Sequence, residues 1–309
     1  MTDLLVLLLY LFLIPSCIST PKIEINESKV LGYRFDLEDR KKMELPYVAK
    51  FTVGEKELLY LLSKHVSQKD YPRVIDHPTL VTIRRLFKKF KPQVVIVEGI
   101  PSGDELSPKN FLGHTQKCRS RKFSGCGESF FAIDQAVQNG GEFISGEPSE
   151  EYIQHFLAKS GFSKTDILGF YMVRQIPQMK RHDEFSKKDF PKECERVLSH
   201  YRKRLGMVAA FSCDDFKKWY EAHMKKPKNF LDIDNNDSAP HGGKDATYVQ
   251  RISHQVGIAR DRTIVKRIET MMNQFDRVLI VYGGSHYLLQ EKSLTGALGK
   301  PAFFKAVKN

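Results

Sequence analysis

Four apolar runs in this chain each end on a side chain able to move a proton or bind a metal. They are ELLYLLSKH ending on His65, VVIVEG with Glu98, EFISGEP with Glu147 and VLIVYGGSH ending on His286. Two imidazoles and a carboxylate, here His65 and His286 with Glu98 or Glu147, form a donor set for Zn²⁺, Mn²⁺ or Co²⁺. Such an ion lowers the pKa of bound water and polarises a carbonyl. The second glutamate would then serve as general base. Without metal, the same groups suit a water activated by His and Glu. Arg260 joins the set. In VGIARDRTIVKRI its i−4 and i+4 neighbours are Val256 and Ile264, so its row should face protein, where a guanidinium requires a carboxylate or an anionic ligand. It would stabilise an oxyanion as charge develops; Asp261 beside it is a secondary candidate. Each residue alone has a plainer reading: a loop histidine, a helix-capping Glu147 before Pro148, a structural salt bridge for Arg260. Their equivalent placement is what points to chemistry. Asp76-His77 and His114 are auxiliary candidates. No cysteine sits at a strand end, and GGSHY lacks the GxSxG of a nucleophile elbow.

For these side chains to meet, the runs must be strands ending on one edge of a sheet. VVIV and VLIV are continuous rather than alternating, as in strands covered on both faces of a parallel sheet. Ligands in such sheets bind at the carboxyl ends of the strands. Glycine or proline flanks three of the four ends, in Glu98-Gly99, Gly146-Glu147-Pro148 and Gly283-Gly284-Ser285-His286, so tight turns there can aim a side chain into a cleft. Between the strands, HPTLVTIRRLFKKF sets Leu80, Ile83, Leu86, Phe87 and Phe90 at helical spacing, with Asp76 as a start signal; ESFFAIDQAVQNGG stops on Asn-Gly-Gly. Residues 149–230 read as several helices without a strand, 231–245 as a polar loop, and about 246–275 as one long helix leading into the last clear strand. The loop's DIDNND mimics a calcium loop, but Asp237 and Gly243 stand where Gly and Glu are required. The expectation is one α/β domain over 21–309, with a mainly parallel sheet flanked by helices and a helical insertion at about 149–245 before the last strands.

The chain has 309 residues, 41% of them hydrophobic and 28% charged, which supports a real core and excludes wholesale disorder. Its net charge of +12 reads as a solvated basic surface or as a match for an anionic one such as a membrane. There is no P-loop, no GxGxxG after a strand and no signature of a specific nucleic-acid partner. LLVLLLYLFLIP (4–15), followed by SCIST, is too short for a membrane span and fits the apolar region of a secretory signal, so residues 1–20 read as a leader. Its first residues, Met-Thr-Asp, lack Lys or Arg, and Ile14-Pro15-Ser16-Cys17 loosely resembles a lipoprotein box. The expectation is export: secreted, periplasmic or anchored through the N-terminus. Beyond the leader stand Cys118, Cys126, Cys194 and Cys213, an even count that suits an oxidising compartment. Cys118 and Cys126 could close a short disulfide or, with His114, contribute to a zinc site.

The ordered set resembles the TIKI/TraB/ChaN/erythromycin-esterase superfamily: a His-bearing turn after the first strand, a Glu after the second, a late helix with Arg-Asp, and a final strand entering Gly-x-x-His. The resemblance spans roughly residues 55–150 and 245–307. It implies an α/β core shared by metal-dependent peptidases, esterases and haem-binding lipoproteins. Gly283 and His286 match the second Gly-x-x-His, Glu98 the glutamate of the following strand, Arg260 the helix arginine and His65 the first histidine. Leu62 stands where that first motif has glycine, and Ser63-Lys64 replace the residues many members show. DHPTLVTIRRLFKKFKPQVVIVEG is also similar to the haem-binding ChaN branch, where a histidine opens the helix before that strand, here His77. The expectation is an exported, metal-assisted hydrolase of a peptide or small-molecule ester. One alternative is a haem-binding protein without catalysis, with His77, Tyr282 and Tyr287 as ligands and the basic charge meeting the propionates. Another is an interaction module whose site has decayed, with Leu62 as the trace.

Overall fold

Gly54 sits at φ +59°, a conformation open to glycine, and turns strand β1 (Tyr47–Val53) tightly into β2 (Lys56–Ser63). The computed structural model describes residues 22–33, 45–66, 73–100, 108–180, 190–207 and 210–305; the expected leader lies outside them. After β2 comes helix α1 (Pro78–Phe90), whose buried face carries Leu80, Ile83, Leu86 and Phe87. His77 caps it by accepting from the Thr79 N–H through Nδ1, Pro78 fills a first-turn position that needs no N–H, and Lys91 at φ 51° ends it. The all-apolar β3 (Val94–Val97) follows, buried at every position.

Helices α2 (Pro108–Ser120) and α3 (Glu128–Gln138) lead into β4 (Glu142–Ser145). Four helices come next: α4 (Glu150–Lys159), α5 (Lys164–Lys180), α6 (Phe190–Arg204) and α7 (Cys213–His223). Then α8 (Tyr248–Gln274) opens on a capping box between Thr247 and Gln250 and leads to β5 (Arg277–Gly283), α9 (Gly284–Leu298) and β6 (Ala302–Phe304).

The fold is α/β, but the sheet is mixed. Its order is β4-β3-β5-β2-β1-β6; the first four strands run parallel, while β1 and β6 pair antiparallel at one edge. Neither of these two antiparallel strands is foreseen above. β1 carries Lys50 and Thr52 among its apolar residues, and all three residues of β6 are exposed, so neither shows the continuous apolar run of a central strand.

Alternate residues of the sheet feed two cores. Leu61, Val97 and Val281 pack on one face with α1 and α3; Tyr60, Leu62, Ile96 and Ile280 pack on the other with α8 and α9. The inserted helices hold a third core around Phe170, Phe216 and Trp219. Helix α8 spans both bodies, giving Val249, Ile252 and Val256 to the insertion and Ile264, Val265 and Ile268 to the sheet. Arg260 and Asp261 lie at that seam. Disulfides join Cys118 to Cys126 and Cys194 to Cys213, compatible with an oxidising compartment. No described helix is long and apolar enough to cross a membrane.

Candidate functional site

Register brings the polar strand ends together. Val97 lies beside Val281 and Ser145, so Glu98 follows next to Tyr282 and Glu147 comes two residues past Ser145; Ser63 lies beside Gly283, so His65 follows at the same edge. Gly283 then runs directly into α9, and His286 occupies its first turn. The opening Gly-Gly gives the site room. A Cβ on Gly283 would stand 3.2 Å from Glu98 Oε2 and 3.4 Å from His65 Nε2, and one on Gly284 would strike Leu45.

Each carboxylate has a distinct set of donors. Glu147 accepts from Arg260 Nε at 2.7 Å and Nη2 at 2.6 Å, from Tyr282 Oη at 2.8 Å and from Gly99 N at 2.9 Å. The Arg260 contacts form the paired fork that guanidinium and carboxylate favour. Ser149, not Glu147, caps α4. Glu98 accepts from Gly283 N at 2.7 Å, and its Oε1 lies 3.4 Å from both Arg260 Nη2 and His286 Nε2.

Both imidazoles are clamped through Nδ1. His286 Nδ1 is 2.8 Å from Asp261 Oδ1, and His65 Nδ1 is 2.7 Å from Glu128 Oε1. Asp261 is fully buried and also accepts from Gln290 Nε2 at 2.6 Å; Gln290 in turn accepts from Tyr60 Oη. Glu128 further accepts from the Val66 N–H. With Nδ1 occupied, Nε2 of His286 faces the Glu98 carboxylate, and Nε2 of His65 and Glu98 Oε2 both lie beside Gly283. The His65 side chain is 71% exposed, whereas that of His286 is 14% exposed, so His65 is the ring open to solvent.

Electrostatics follow from this geometry. Burial alone would raise the Glu98 carboxyl, but His286, Arg260 and the Gly283 N–H outweigh it and bring its pKa to about 2. Burial alone would lower His286, yet Asp261 and Glu98 lift it to about 10. Glu147 is also held below the usual carboxylate range, Arg260 prevailing over burial. The bond to Glu128 raises His65. Without a bound cation, the centre is a network of opposed charges locked at neutral pH.

The donor set fits a divalent cation in one respect that matters. Metal-binding histidines characteristically give one ring nitrogen to a carboxylate, which fixes the ring and leaves the other for the ion. His65 and His286 both do this, to Glu128 and Asp261. Their ligand atoms and that of Glu98 are not gathered as closely as those of His114, Cys118 and Cys126, the one such group within 4.8 Å among the described residues. In that group the two sulfurs are bonded to each other, which leaves no thiolate for an ion.

The suggested haem ligands do not meet. Tyr282 and Tyr287 are buried on the α8/α9 face, the first bonded to Glu147 and the second packed edge-on against Tyr60, while His77 is buried at the start of α1, a helix of the opposite face. Two cavities flank the network. One, about 510 Å³, lies at the ends of β2 and β5 and is lined by Leu62, Ser63, His65, Gly283, Ser285 and Leu288 among others. The second, about 310 Å³, lies between α5 and α8 and shares Arg260 with the network.

Glu128 and Gln290 are absent from the sequence reading. Glu128 opens α3, where an acidic first-turn residue is ordinary, so nothing in the sequence marks it. Gln290 lies four residues after His286 on one helix face, a spacing that could have been read. Comparison of the chain with protein-family models, with curated proteins and with solved structures returned no match.

Proposed function

We propose that this chain is an exported, metal-assisted hydrolase that cleaves a peptide or ester bond at the carboxyl edge of its sheet. The observation that carries the reading is the pair of imidazoles, each tied through Nδ1 to a buried carboxylate, with Nε2 of His286 toward Glu98 and Nε2 of His65 beside Gly283 at the same edge. His65, His286 and Glu98 would hold Zn²⁺, Mn²⁺ or Co²⁺, which supplies an acidified water and a Lewis acid. The resemblance to the TIKI/TraB-like superfamily points the same way, and the two disulfides are compatible with export.

The remaining residues take roles from their contacts. Glu128 and Asp261 orient the two rings and keep their Nε2 atoms turned to the centre. Glu147, with four donors and a depressed pKa, is poorly suited to take a proton. Its function is to position Arg260, whose Nη2 reaches Glu98 and whose charge would favour a developing oxyanion. That argues against Glu147 in the base role open to the second glutamate. The cavity containing His65 and Ser285 mixes apolar and polar walls and is large enough for the scissile part of a substrate.

The test is hydrolysis of a panel of peptides and small esters by purified protein with each of the three metals, comparing the parent with His286→Ala and Glu98→Ala. Activity is expected in the parent and a loss of at least about 100-fold in each variant. Variants as active as the parent would rule this mechanism out.

A further inference from the structure

The cavity between α5 and α8 has no part in the chemistry described so far. Arg174 and Gln178 lie one helical turn apart on α5, so they share a face; Ser253, Gly257 and Arg260 do the same on α8. The loop carrying Asn235, Ser238 and Pro240 closes the third side. That loop is built in: Lys180 Nζ donates to Ile233 O, Gln250 Nε2 donates to Asn236 O, and Asp234 Oδ1 accepts from the Asn236 N–H. The ten lining residues include two arginines, two serines, an asparagine and a glutamine, and no carboxylate.

Charge balance differs sharply between the two arginines. Arg260 is neutralised by Glu147, although its Nη1 makes no hydrogen bond among the described residues. Arg174 makes neither an ion pair nor a hydrogen bond among the described residues, and it is open to solvent. Surrounding protein and the like charge of Arg260 both lower its pKa. A planar fork of donors left unmatched beside a second guanidinium, in a polar cleft, has the makings of an anion site.

We propose that this cavity binds an oxyanion group of the substrate, a carboxylate or phosphate, with Arg174 as its principal partner and Gln178, Ser238 and Ser253 as further donors. The inference rests on the hydrolase reading and deepens it: the bond to be cleaved would belong to an acidic substrate whose charged end is held beside Arg260 while the reacting end meets the network. At about 310 Å³ the space suits one charged group with its near neighbours rather than a whole ligand. The inserted helices would then set specificity, since α5 and the 235–240 loop both belong to the insertion or its polar loop.

The experiment separates this site from the metal centre. Full-length protein kept in EDTA is titrated calorimetrically with inorganic phosphate and separately with acetate. Saturable binding of one or both anions at millimolar concentration or below is expected. Arg174→Ala should weaken it by roughly tenfold or more, Arg174→Lys should restore part of it, and His286→Ala should retain it. Matched esters with a terminal carboxylate, a terminal phosphate or neither then identify the source: the preference for the charged ester should fall by about the same factor in Arg174→Ala. No anion binding by the parent, equal binding by Arg174→Ala, or loss of binding in His286→Ala would overturn the proposal. If no ester is hydrolysed and the Arg174-dependent binding persists, the hydrolase reading fails and the anion site stands.

Discussion

Replacing Glu147 by glutamine removes the charge that holds Arg260 while nearly preserving side-chain size. The two contacts affected are 2.7 and 2.6 Å long, between side chains 21% and 12% exposed. Breaking a buried pair from one side costs ~3–5 kcal/mol, because the remaining charge is left without its partner. Glu98, 3.4 Å from Arg260 Nη2, offsets part of that, and the glutamine carbonyl still accepts one bond. The loss is therefore placed at the lower end, ~3 kcal/mol. With an unfolding entropy of ~2.1 cal/mol/K per residue, a 309-residue chain would melt about 5 °C lower. The double variant Glu147→Leu/Arg260→Met leaves neither charge behind and should recover most of that difference. Differential scanning calorimetry on the parent, Glu147→Leu, Arg260→Met and the double completes the cycle, with Glu147→Gln measured beside them. A Glu147→Gln protein melting within about 1 °C of the parent, or a double variant no more stable than Glu147→Gln, would refute the mutual dependence of this pair.

Other consequences are equally accessible. In chelator-treated protein, Glu98 contributes stability fully above its ordinary pKa of 4.5 and loses it as pH falls towards about 2, while His286 contributes fully below 6.5 and loses it as pH rises through about 10. Urea titrations across pH should accordingly give greatest stability between 4.5 and 6.5, and Asp261→Asn should flatten the alkaline limb; an unchanged limb counts against the His286–Asp261 pair. Gly146→Ala would place a Cβ 2.6 Å from the Tyr282 ring and 3.2 Å from Ile96. Overpacking there should destabilise the protein by ~1–3 kcal/mol in denaturant titration, and a neutral result would contradict the packing at this strand end. Replacing Cys194 and Cys213 with serine opens a loop of 19 residues and should cost about 3 kcal/mol, read as a lower urea midpoint; an unchanged midpoint would contradict the contribution of this bridge.

Much of the centre was legible because strand ends in a parallel sheet share an edge. The runs ending at His65, Glu98, Glu147 and His286 are strongly apolar, and their register in the sheet then fixes where the next residues go. Arg260 was legible for a different reason: a cation between Val256 and Ile264 on one helix row has to find an anion. What escaped notice depends on tertiary partners. Glu128 supports His65 from a helix that begins 63 positions later, and no local pattern announces that. The contacts of Glu147 were not legible because donors from Gly99, Arg260 and Tyr282 converge on it only after folding. β6 was missed because a short edge strand buries little, and β1 because Lys50 and Thr52 interrupt its apolar residues.

Titration of the chelator-treated protein with cobalt(II), followed by visible absorption, addresses the centre most directly. One equivalent per chain, with a ligand-field spectrum that disappears in both His65→Ala and His286→Ala, is the expected result. A parent that takes up no stoichiometric cobalt, or variants whose spectra and affinity match the parent's, would show that the two rings do not share an ion.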